Sequence, residues 1–236
     1  MPGRIVNVLI ACCLTGISTL ASAGVVIGGT RVIYLSDKSD TTITVKNNEA
    51  AIPYLIQTWV DPFNNTGTAK KPPFTVIPPV SRLEAGQEKI LRIMKTEGNL
   101  PQDRESVFWL NIKNIPPASN KPNAMEIAIK TRIKLFWRPA LLNITPEHAA
   151  TQVKWHRENR QLVVENPTPL NINVMNVTVD GKDVPLNIVH PFETLRLPLP
   201  EGVNGHALVW RYVNDFGAIS QDLKACLLYT SDAADD

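Results

Sequence analysis

Residues 125–138 read MEIAIKTRIKLFWR, and the two faces of this segment differ along its length. The first face is almost entirely apolar and consists of Met125, Ile127, Ile129, Thr131, Ile133, Leu135 and Trp137. The second face is mostly charged and consists of Glu126, Ala128, Lys130, Arg132, Lys134, Phe136 and Arg138. Such alternation predicts a β-strand. At full extension it would reach roughly 40 Å, about twice the length of an ordinary globular strand.

A strand of this length predicts that part of the segment extends beyond its own domain. An apolar row on an exposed strand is a template for pairing with a second chain, which proteins avoid unless the pairing is functional. The alternative is a long core strand whose basic face is solvated. The segment by itself leaves both interpretations open.

The first 23 residues have the composition of an export signal. Arg4 opens a short positive region, residues 5–20 are mostly apolar, and Ala21-Ser22-Ala23 fits a cleavage site. We therefore expect residues 1–23 to be a signal peptide that is removed, so that the mature protein begins at Gly24. Lipid attachment at Cys12 is the alternative, although the apolar run before that cysteine is short.

Removal of the signal peptide would leave Cys226 as the sole cysteine, so no internal disulfide is expected. The remaining chain is long enough to bury a core without disulfides, and two domains of about 100 residues are the natural division. No other apolar stretch approaches the roughly 20 residues that span a bilayer, so no membrane insertion is expected. The formal net charge of +2 argues against nucleic acid as a partner.

Short β-rich segments separated by turn residues recur along the chain and predict an all-β protein. In the first half they are residues 31–34, 41–46, 54–60, 74–77, 89–94 and 107–113, followed by 125–138. In the second half they are residues 152–156, 161–166, 172–179, 194–197, 207–212 and 219–223, with Asp180-Gly181 as a hairpin turn. This spacing predicts two immunoglobulin-like β-sandwich domains, residues 24–139 and 144–228. Residues 229–236 break the pattern and are expected to be a disordered or non-native tail.

The sequence contains no recognisable catalytic or metal-binding pattern. The four histidines lack metal-ligand spacing, and there is no nucleophile elbow, phosphate-binding loop or glycine-rich dinucleotide turn. Asp103 and Glu105 could be imagined as an acid and a base, but nothing sets them apart from ordinary surface charges. We therefore expect a protein that is not an enzyme and that has no cofactor and no metal.

Eight segments together resemble the periplasmic pilus-assembly chaperones of the chaperone-usher pathway. They cover nearly all of the chain after residue 23, in order, and read GTRVIY (29–34), IPYLIQTW (52–59), PVSRLEAG (79–86), LPQDRES (100–106), NIPP (114–117), IKLFWRP (133–139), ENPTP (165–169) and NDFG (214–217). The resemblance implies two sandwiches arranged as a boomerang with a cleft between them. A newly exported pilus subunit, the client, would be held in this cleft until an outer-membrane usher receives it.

The resemblance also implies which residues hold the client. Arg31 and Lys134 match a cationic pair that anchors the terminal carboxylate of the client in the cleft. Met125, Ile127 and Ile129 match the donor strand, whose apolar side chains complete the incomplete sandwich of the client. The next residues of that face, which are nearer the cleft, are expected in the chaperone's own core; they are Ile133, Leu135 and Trp137.

Glu105, Arg138 and Asp215 match an interdomain salt-bridge set, and we expect them to fix the angle between the two domains. The loop between Pro117 and Met125 is short, which resembles the subclass that assembles rod-like pili. Many relatives carry a disulfide near the end of the second domain, whereas Cys226 stands alone here. The final strand of the second domain is therefore left open.

The expected function is that of a periplasmic chaperone that binds, folds and caps pilus or fimbrial subunits by donor-strand complementation. Its partners would be those subunits and the outer-membrane usher, with self-association when no client is bound. The alternative function is a structural or adhesive fimbrial subunit. Such a subunit should carry a donor extension at its mature amino terminus, for which residues 24–30 are too short.

Overall fold

A computed structural model describes residues 24–64, 72–119, 123 and 125–229, which form two all-β halves. The strands of the first half are β1 (Val25–Ile27), β2 (Arg31–Leu35), β3 (Asp40–Asn47), β4 (Tyr54–Pro62), β5 (Phe74–Ile77), β6 (Val80–Leu83), β7 (Glu88–Lys95), β8 (Ser106–Ile115) and β9 (Ile129–Arg138). The second half begins with a short helix, α1 (Pro146–Gln152). Its strands are β10 (Lys154–Glu158), β11 (Gln161–Glu165), β12 (Ile172–Val179), β13 (Lys182–Asp183), β14 (Ile188–Val189), β15 (Thr194–Pro198), β16 (Ala207–Tyr212), β17 (Leu223–Cys226) and β18 (Leu228–Tyr229).

Each half consists of two sheets. In the first half, strands β1-β3-β7-β5 form one sheet and strands β2-β9-β8-β4-β6 form the other. In the second half the sheets are β15-β11-β10-β18 and β13-β12-β16-β17, with β14 also paired to β12. The predicted all-β class with two immunoglobulin-like sandwiches is confirmed. In the five-stranded sheet of the first half, β2 and β9 are parallel, whereas the other neighbours are antiparallel.

Two separate hydrophobic cores stabilise the halves. The first core contains buried residues between Val32 and Trp137, and the second contains buried residues between Ala149 and Leu227. Ile133, Leu135 and Trp137 are buried in the first core, as expected from their position on β9. Leu142 and Ile144 pack against the second core. The domain limits 24–139 and 144–228 remain a prediction, and Leu142 packs against the second core although it lies before residue 144.

The strand predicted for residues 125–138 is shorter than expected, because β9 begins at Ile129. Residues 125–128 belong to no strand. The pairing of β8 with β9 ends where Asn114 lies opposite Ile129, and β8 itself ends at Ile115. Pro116 and Pro117 follow, and a proline has no backbone N–H for a ladder. Residues 125–128 therefore have no neighbouring strand to pair with.

Other differences concern short elements that the alternation of side chains does not reveal. β1, β6, β13, β14 and β18 contain only two to four residues each. The segment predicted at 219–223 forms one isolated bridge, Ile219 with Val213, and the strand β17 starts at Leu223. The Asp180-Gly181 turn is present, with positive φ at both residues between β12 and β13.

Three predictions fall wholly or partly outside the described residues. The signal peptide, residues 1–23, lies outside them, as do residues 120–122 and 124 of the loop before Met125. Tyr229 was expected in the tail but lies in β18, which pairs in parallel with β10. The rest of the predicted tail, residues 230–236, also lies outside the described part.

Candidate functional site

Arg31 and Lys134 lie side by side where the two halves meet. Arg31 opens β2 and is the register partner of Lys134 on β9. Arg31 Nη1 donates a hydrogen bond to the carbonyl oxygen of Val213 at 3.2 Å, and Lys134 Nζ donates to Asn173 Oδ1 at 2.8 Å. Both acceptors belong to the second half. The structure therefore brings this pair of side chains, the cation pair, together at the junction of the halves.

The cation pair has an unusual electrostatic environment. Burial lowers the pKa of the Lys134 ammonium to about 8, and the nearby charge of Arg31 acts in the same direction. Burial also lowers the pKa of Arg31, although Asp215 and Glu105 oppose this effect. Arg31 Nε is buried and has no hydrogen-bond partner among the described residues. Two adjacent cations with an unsatisfied donor have the chemistry to which an anion can bind.

The predicted interdomain set of Glu105, Arg138 and Asp215 is in direct contact. Arg138 Nε donates to Glu105 Oε1 at 2.7 Å. The two Nη atoms of Arg138 donate to the carboxylate of Asp215 at 2.6 and 2.8 Å, which is a bidentate pair. Asp215 belongs to the second half, so Arg138, at the end of β9, joins the halves.

Glu105 is buried at the centre of this connection. Its Oε2 accepts hydrogen bonds from the backbone N and the side-chain Nδ2 of Asn171, at 3.0 and 2.9 Å. Burial raises the pKa of the Glu105 carboxyl, whereas the charge of Arg138 and the bonds from Asn171 oppose that shift. Burial acts to lower the pKa of Arg138, but Asp215 and Glu105 raise it above its ordinary value. The sequence did not reveal Asn171, because its role arises only when the halves pack.

The three predicted donor residues are exposed and extend from the free end of β9. Met125 is 87% exposed, Ile127 is 68% exposed and Ile129 is 55% exposed. β2 pairs with β9 only from Lys134 to Arg138. Within the described ranges, the edge of β9 from Ile129 to Ile133 on that side has no strand partner. An apolar row and an unpaired backbone edge thus lead directly to the cation pair.

An aromatic group lies beside the cation pair. Trp109 on β8 is the register partner of Lys134 and stacks on Phe63 with ring centroids 4.8 Å apart. Phe63 in turn contacts the ring of His190 of the second half, edge to face at 5.6 Å. These contacts place the outer face of the five-stranded sheet against the junction. Alternation on β8 could have suggested Trp109, but only the register identifies its neighbour.

The arrangement offers binding groups and no recognisable catalytic group. Across residues 24–64, 72–119, 123 and 125–229, no three or more His, Cys, Asp or Glu side chains are placed to hold a metal ion. Asp103 pairs with Arg104, whereas Glu105 pairs with Arg138, so the two carboxylates do not act on a common point. No helix in the described part of the chain is long and apolar enough to cross a membrane.

Comparison with known proteins gives matches over both halves. Residues 24–143 match the family described as "Pili and flagellar-assembly chaperone, PapD N-terminal domain". Residues 148–224 match the family described as "Pili assembly chaperone PapD, C-terminal domain". The chain is 36% identical over 206 residues to the chaperone protein FocC of Escherichia coli, covering 86% of this chain and 89% of that relative.

Solved structures of similar sequence agree with these matches. A chain of the complex between the Salmonella enterica SafA pilin and the SafB chaperone has a TM-score of 0.77 and 37% identity, over 87% of this chain and 97% of that one. The periplasmic chaperone SfaE has a TM-score of 0.73 and 32% identity, and the match covers 86% of this chain and 100% of the SfaE chain.

The contact of Arg138 with Glu105 and Asp215 predicts the effect of Arg138→Ala. The substitution leaves a buried carboxylate without its cation, which typically destabilises a protein by about 3–5 kcal/mol. We expect a lower unfolding temperature and a wider range of orientations between the halves, measured as a broadened pair-distance distribution in small-angle X-ray scattering.

Arg82→Ala is the matched control, because Arg82 is exposed and its side chain pairs with Glu84 of the same half. It should leave both measurements unchanged. A scattering distribution for Arg138→Ala that equals that of the unaltered protein would show that the contact does not orient the halves.

Proposed function

The chain belongs to the pili assembly chaperones, and from this membership we propose that the cation pair and residues 125–133 hold its client. The chain is a chaperone for pilus or fimbrial subunits, and it acts by donor-strand complementation. The position of Arg31 and Lys134 supports this choice of client-binding residues most strongly, because the two cations are adjacent and lie at the end of an unpaired strand edge. The alternative of a structural fimbrial subunit is not favoured, since β1 pairs with β3 of its own sheet and is therefore not a free donor strand.

The cation pair is proposed to bind the terminal carboxylate of the client. A carboxylate has two oxygens and can accept from the Lys134 ammonium and from the Arg31 guanidinium together. Arg31 Nε, which lacks a partner among the described residues, supplies a further donor. An anion at this point would also relieve the repulsion between the two cations.

The unpaired edge of β9 is proposed to determine the direction of the bound strand. β2 occupies this edge after Lys134 and runs parallel to β9. A client strand that ends at the cation pair must fill the edge before Lys134, and it must also run parallel to β9. The unpaired edge from Ile129 to Ile133 spans five residues, which is roughly 17 Å of backbone available for pairing.

Apolar burial would supply the second part of the binding energy. Ile129 lies on β9 at alternate positions with the core residues Ile133 and Leu135, and Met125 and Ile127 continue this alternation in the sequence. When the client closes over them, the apolar row continues from the core of the chaperone into the core of the client. Each large apolar side chain that becomes fully buried contributes about 1.5–3 kcal/mol. Strand addition and burial need no nucleotide.

Periplasmic residence and delivery to an outer-membrane usher are part of the same proposal. The export-like composition of residues 1–23 supports it, as does the similarity to a periplasmic chaperone. The exposed apolar row and the unpaired edge of β9 also support self-association of the protein when no client is present. We propose no catalytic activity for this chain.

Removal of either cation should weaken client capture. Arg31→Ala or Lys134→Ala leaves the carboxylate with fewer donors, and a charge-assisted hydrogen bond contributes about 1.5–3 kcal/mol. We expect complexes at least tenfold weaker, measured by co-purification and titration with pilus subunits of the same organism expressed in the periplasm. The double variant should be only slightly weaker than the weaker single variant, because both residues serve one anchor.

Lys154→Ala is the control for the charge itself, since Lys154 is an exposed lysine of the second half. Thermal unfolding of all variants checks that the fold is retained. Undiminished capture by both single variants would mean that the anchor lies elsewhere.

A charge on the donor row should abolish capture. Ile127→Asp or Ile129→Asp would bring a carboxylate into an apolar groove, where it loses its hydration without gaining a partner. We expect both domains to fold and client recovery to be lost. Ile90→Asp is the matched control, because Ile90 is an isoleucine on β7 of the other sheet with 63% exposure. If Ile127→Asp and Ile129→Asp recover as much client as Ile90→Asp does, residues 125–129 are not part of the interface.

A further inference from the structure

The outer face of the five-stranded sheet carries more positive charge than the cation pair alone. On β9 this face presents Lys130, Arg132 and Lys134 at alternate positions. Lys113 on β8 lies directly opposite Lys130, and Arg31 lies opposite Lys134. We call these five residues the cationic wall: Arg31, Lys113, Lys130, Arg132 and Lys134. The wall thus contains two pairs of like charges in direct register, and each pair is destabilising.

The described part of the chain provides no direct ion pair for the wall, although Asp215 and Glu105 act on Arg31 at longer range. Within residues 24–64, 72–119, 123 and 125–229, none of the five cations has a carboxylate within the 4.0 Å of an ion pair. The nearby Asp61, opposite Trp109, accepts a hydrogen bond from Asn111 instead. Cations elsewhere in the chain do form ion pairs with carboxylates, for example Arg92 with Asp40. Because the net charge of the chain is only +2, the wall is a local concentration of charge.

Aromatic rings hold two of these charges in place. Lys130 Nζ lies 4.9 Å from the centre of the Trp59 ring. The Arg132 guanidinium lies 5.9 Å from the Trp109 ring, and its Nε donates to Asn111 Oδ1 at 3.2 Å. Such contacts stabilise a cation without neutralising it. The two exposed charges are therefore ordered on the wall before any partner arrives.

The position of the wall relates it to the client strand. This step rests on the proposed function, in which the terminal strand of the client pairs with β9 from Ile129 to Ile133. Alternate side chains of that strand would lie on the apolar side with Ile129, and the others would lie beside Lys130 and Arg132. These two cations are two residues apart, about 7 Å along the strand, which is also the spacing of alternate side chains on a paired strand.

We propose that the wall selects clients whose carboxyl-terminal strand carries acidic residues at the positions that face Lys130 and Arg132. Carboxylates there would form cross-strand pairs with both cations and offset the repulsion between Lys113 and Lys130. The same complementarity increases the association rate and fixes the register of the strand. The wall therefore adds a specificity element to the carboxylate anchor.

A single-stranded nucleic acid is the other polymer that cations beside tryptophans can bind. The surroundings of the wall disfavour it. The wall borders an unpaired backbone edge and the exposed apolar residues Ile127 and Ile129. A peptide strand can pair with that edge and cover those side chains, whereas a sugar-phosphate chain cannot.

The test uses three nine-residue peptides with valine at alternate positions and a free terminal carboxylate. The two polar positions nearest the carboxyl end carry Glu in the first peptide, Gln in the second and Lys in the third. We expect the Glu peptide to bind roughly fivefold more tightly than the Gln peptide at low salt, and the Lys peptide to bind most weakly. High salt should reduce the difference between the Glu and Gln peptides.

Substitutions in the cationic wall test which residues cause the preference for the Glu peptide. Lys130→Gln and Arg132→Gln should each reduce the difference in affinity between the Glu and the Gln peptide. Lys224→Gln, at an exposed lysine on β17, is the matched control and should leave this difference unchanged. Lys130→Gln should change the unfolding temperature little, because the lost contact with the Trp59 ring is offset by removal of the like-charge pair with Lys113. A loss of stability without a loss of preference for Glu would assign Lys130 a structural role and overturn the proposal.

Amidated peptides separate this inference from the anchor. If amidation abolishes binding while the free Glu and Gln peptides bind equally, the anchor stands and the acidic preference is overturned. If amidated and free peptides bind equally, the anchor is wrong and the inference fails with it. Tighter binding of a single-stranded oligothymidylate than of the Glu peptide, lost in Lys130→Gln and Arg132→Gln, would also overturn the proposal.

Discussion

The placement of two positive charges, Arg31 and Lys134, side by side at the junction of two sandwiches is the constraint on which the account depends. The parallel register of β2 and β9 makes them neighbours. Burial disfavours the charged form of Lys134 and lowers its pKa to about 8. A fold that was selected for stability alone would place an acid beside them or replace one of them with an apolar residue. In the proposed function, the client carboxylate supplies the missing negative charge.

The same junction contains a third cation, and its surroundings differ completely. Arg138 lies four residues after Lys134 on β9 and has two carboxylates, Glu105 and Asp215, as partners. Arg138 is therefore neutralised within the chain and holds the halves together, whereas Arg31 and Lys134 remain available to bind. Because Arg138 and Lys134 share one strand, the contact of Arg138 with the second half lies four residues from the proposed anchor.

Sequence patterns predicted the two sandwiches and the strand character of β9, because alternation on a half-buried strand is a strong signal, whereas the core residues of β9 were assigned with the family resemblance. They failed at Met125 to Ala128, where alternation continues but Pro116 and Pro117 leave no strand to pair with. Short strands such as β13 and the helix α1 are set by turns and caps. The anchor and the interdomain set came from family resemblance. Asn171 and Asn173 could not be predicted, since the packing of the halves alone makes them partners of Glu105 and Lys134.

The pH dependence of binding tests the anchor most directly. The lowered pKa of Lys134 means that its ammonium is charged below about pH 8 and neutral above it. Affinity for a peptide with a free terminal carboxylate should be constant from about pH 6.5 to 7.5. It should then fall above pH 8, by as much as tenfold per pH unit, because binding must be accompanied by proton uptake. Lys134→Arg should remove this decline, since arginine stays charged throughout. A flat profile for the unaltered protein, or the same decline in Lys134→Arg, would contradict the assignment of Lys134 to the carboxylate.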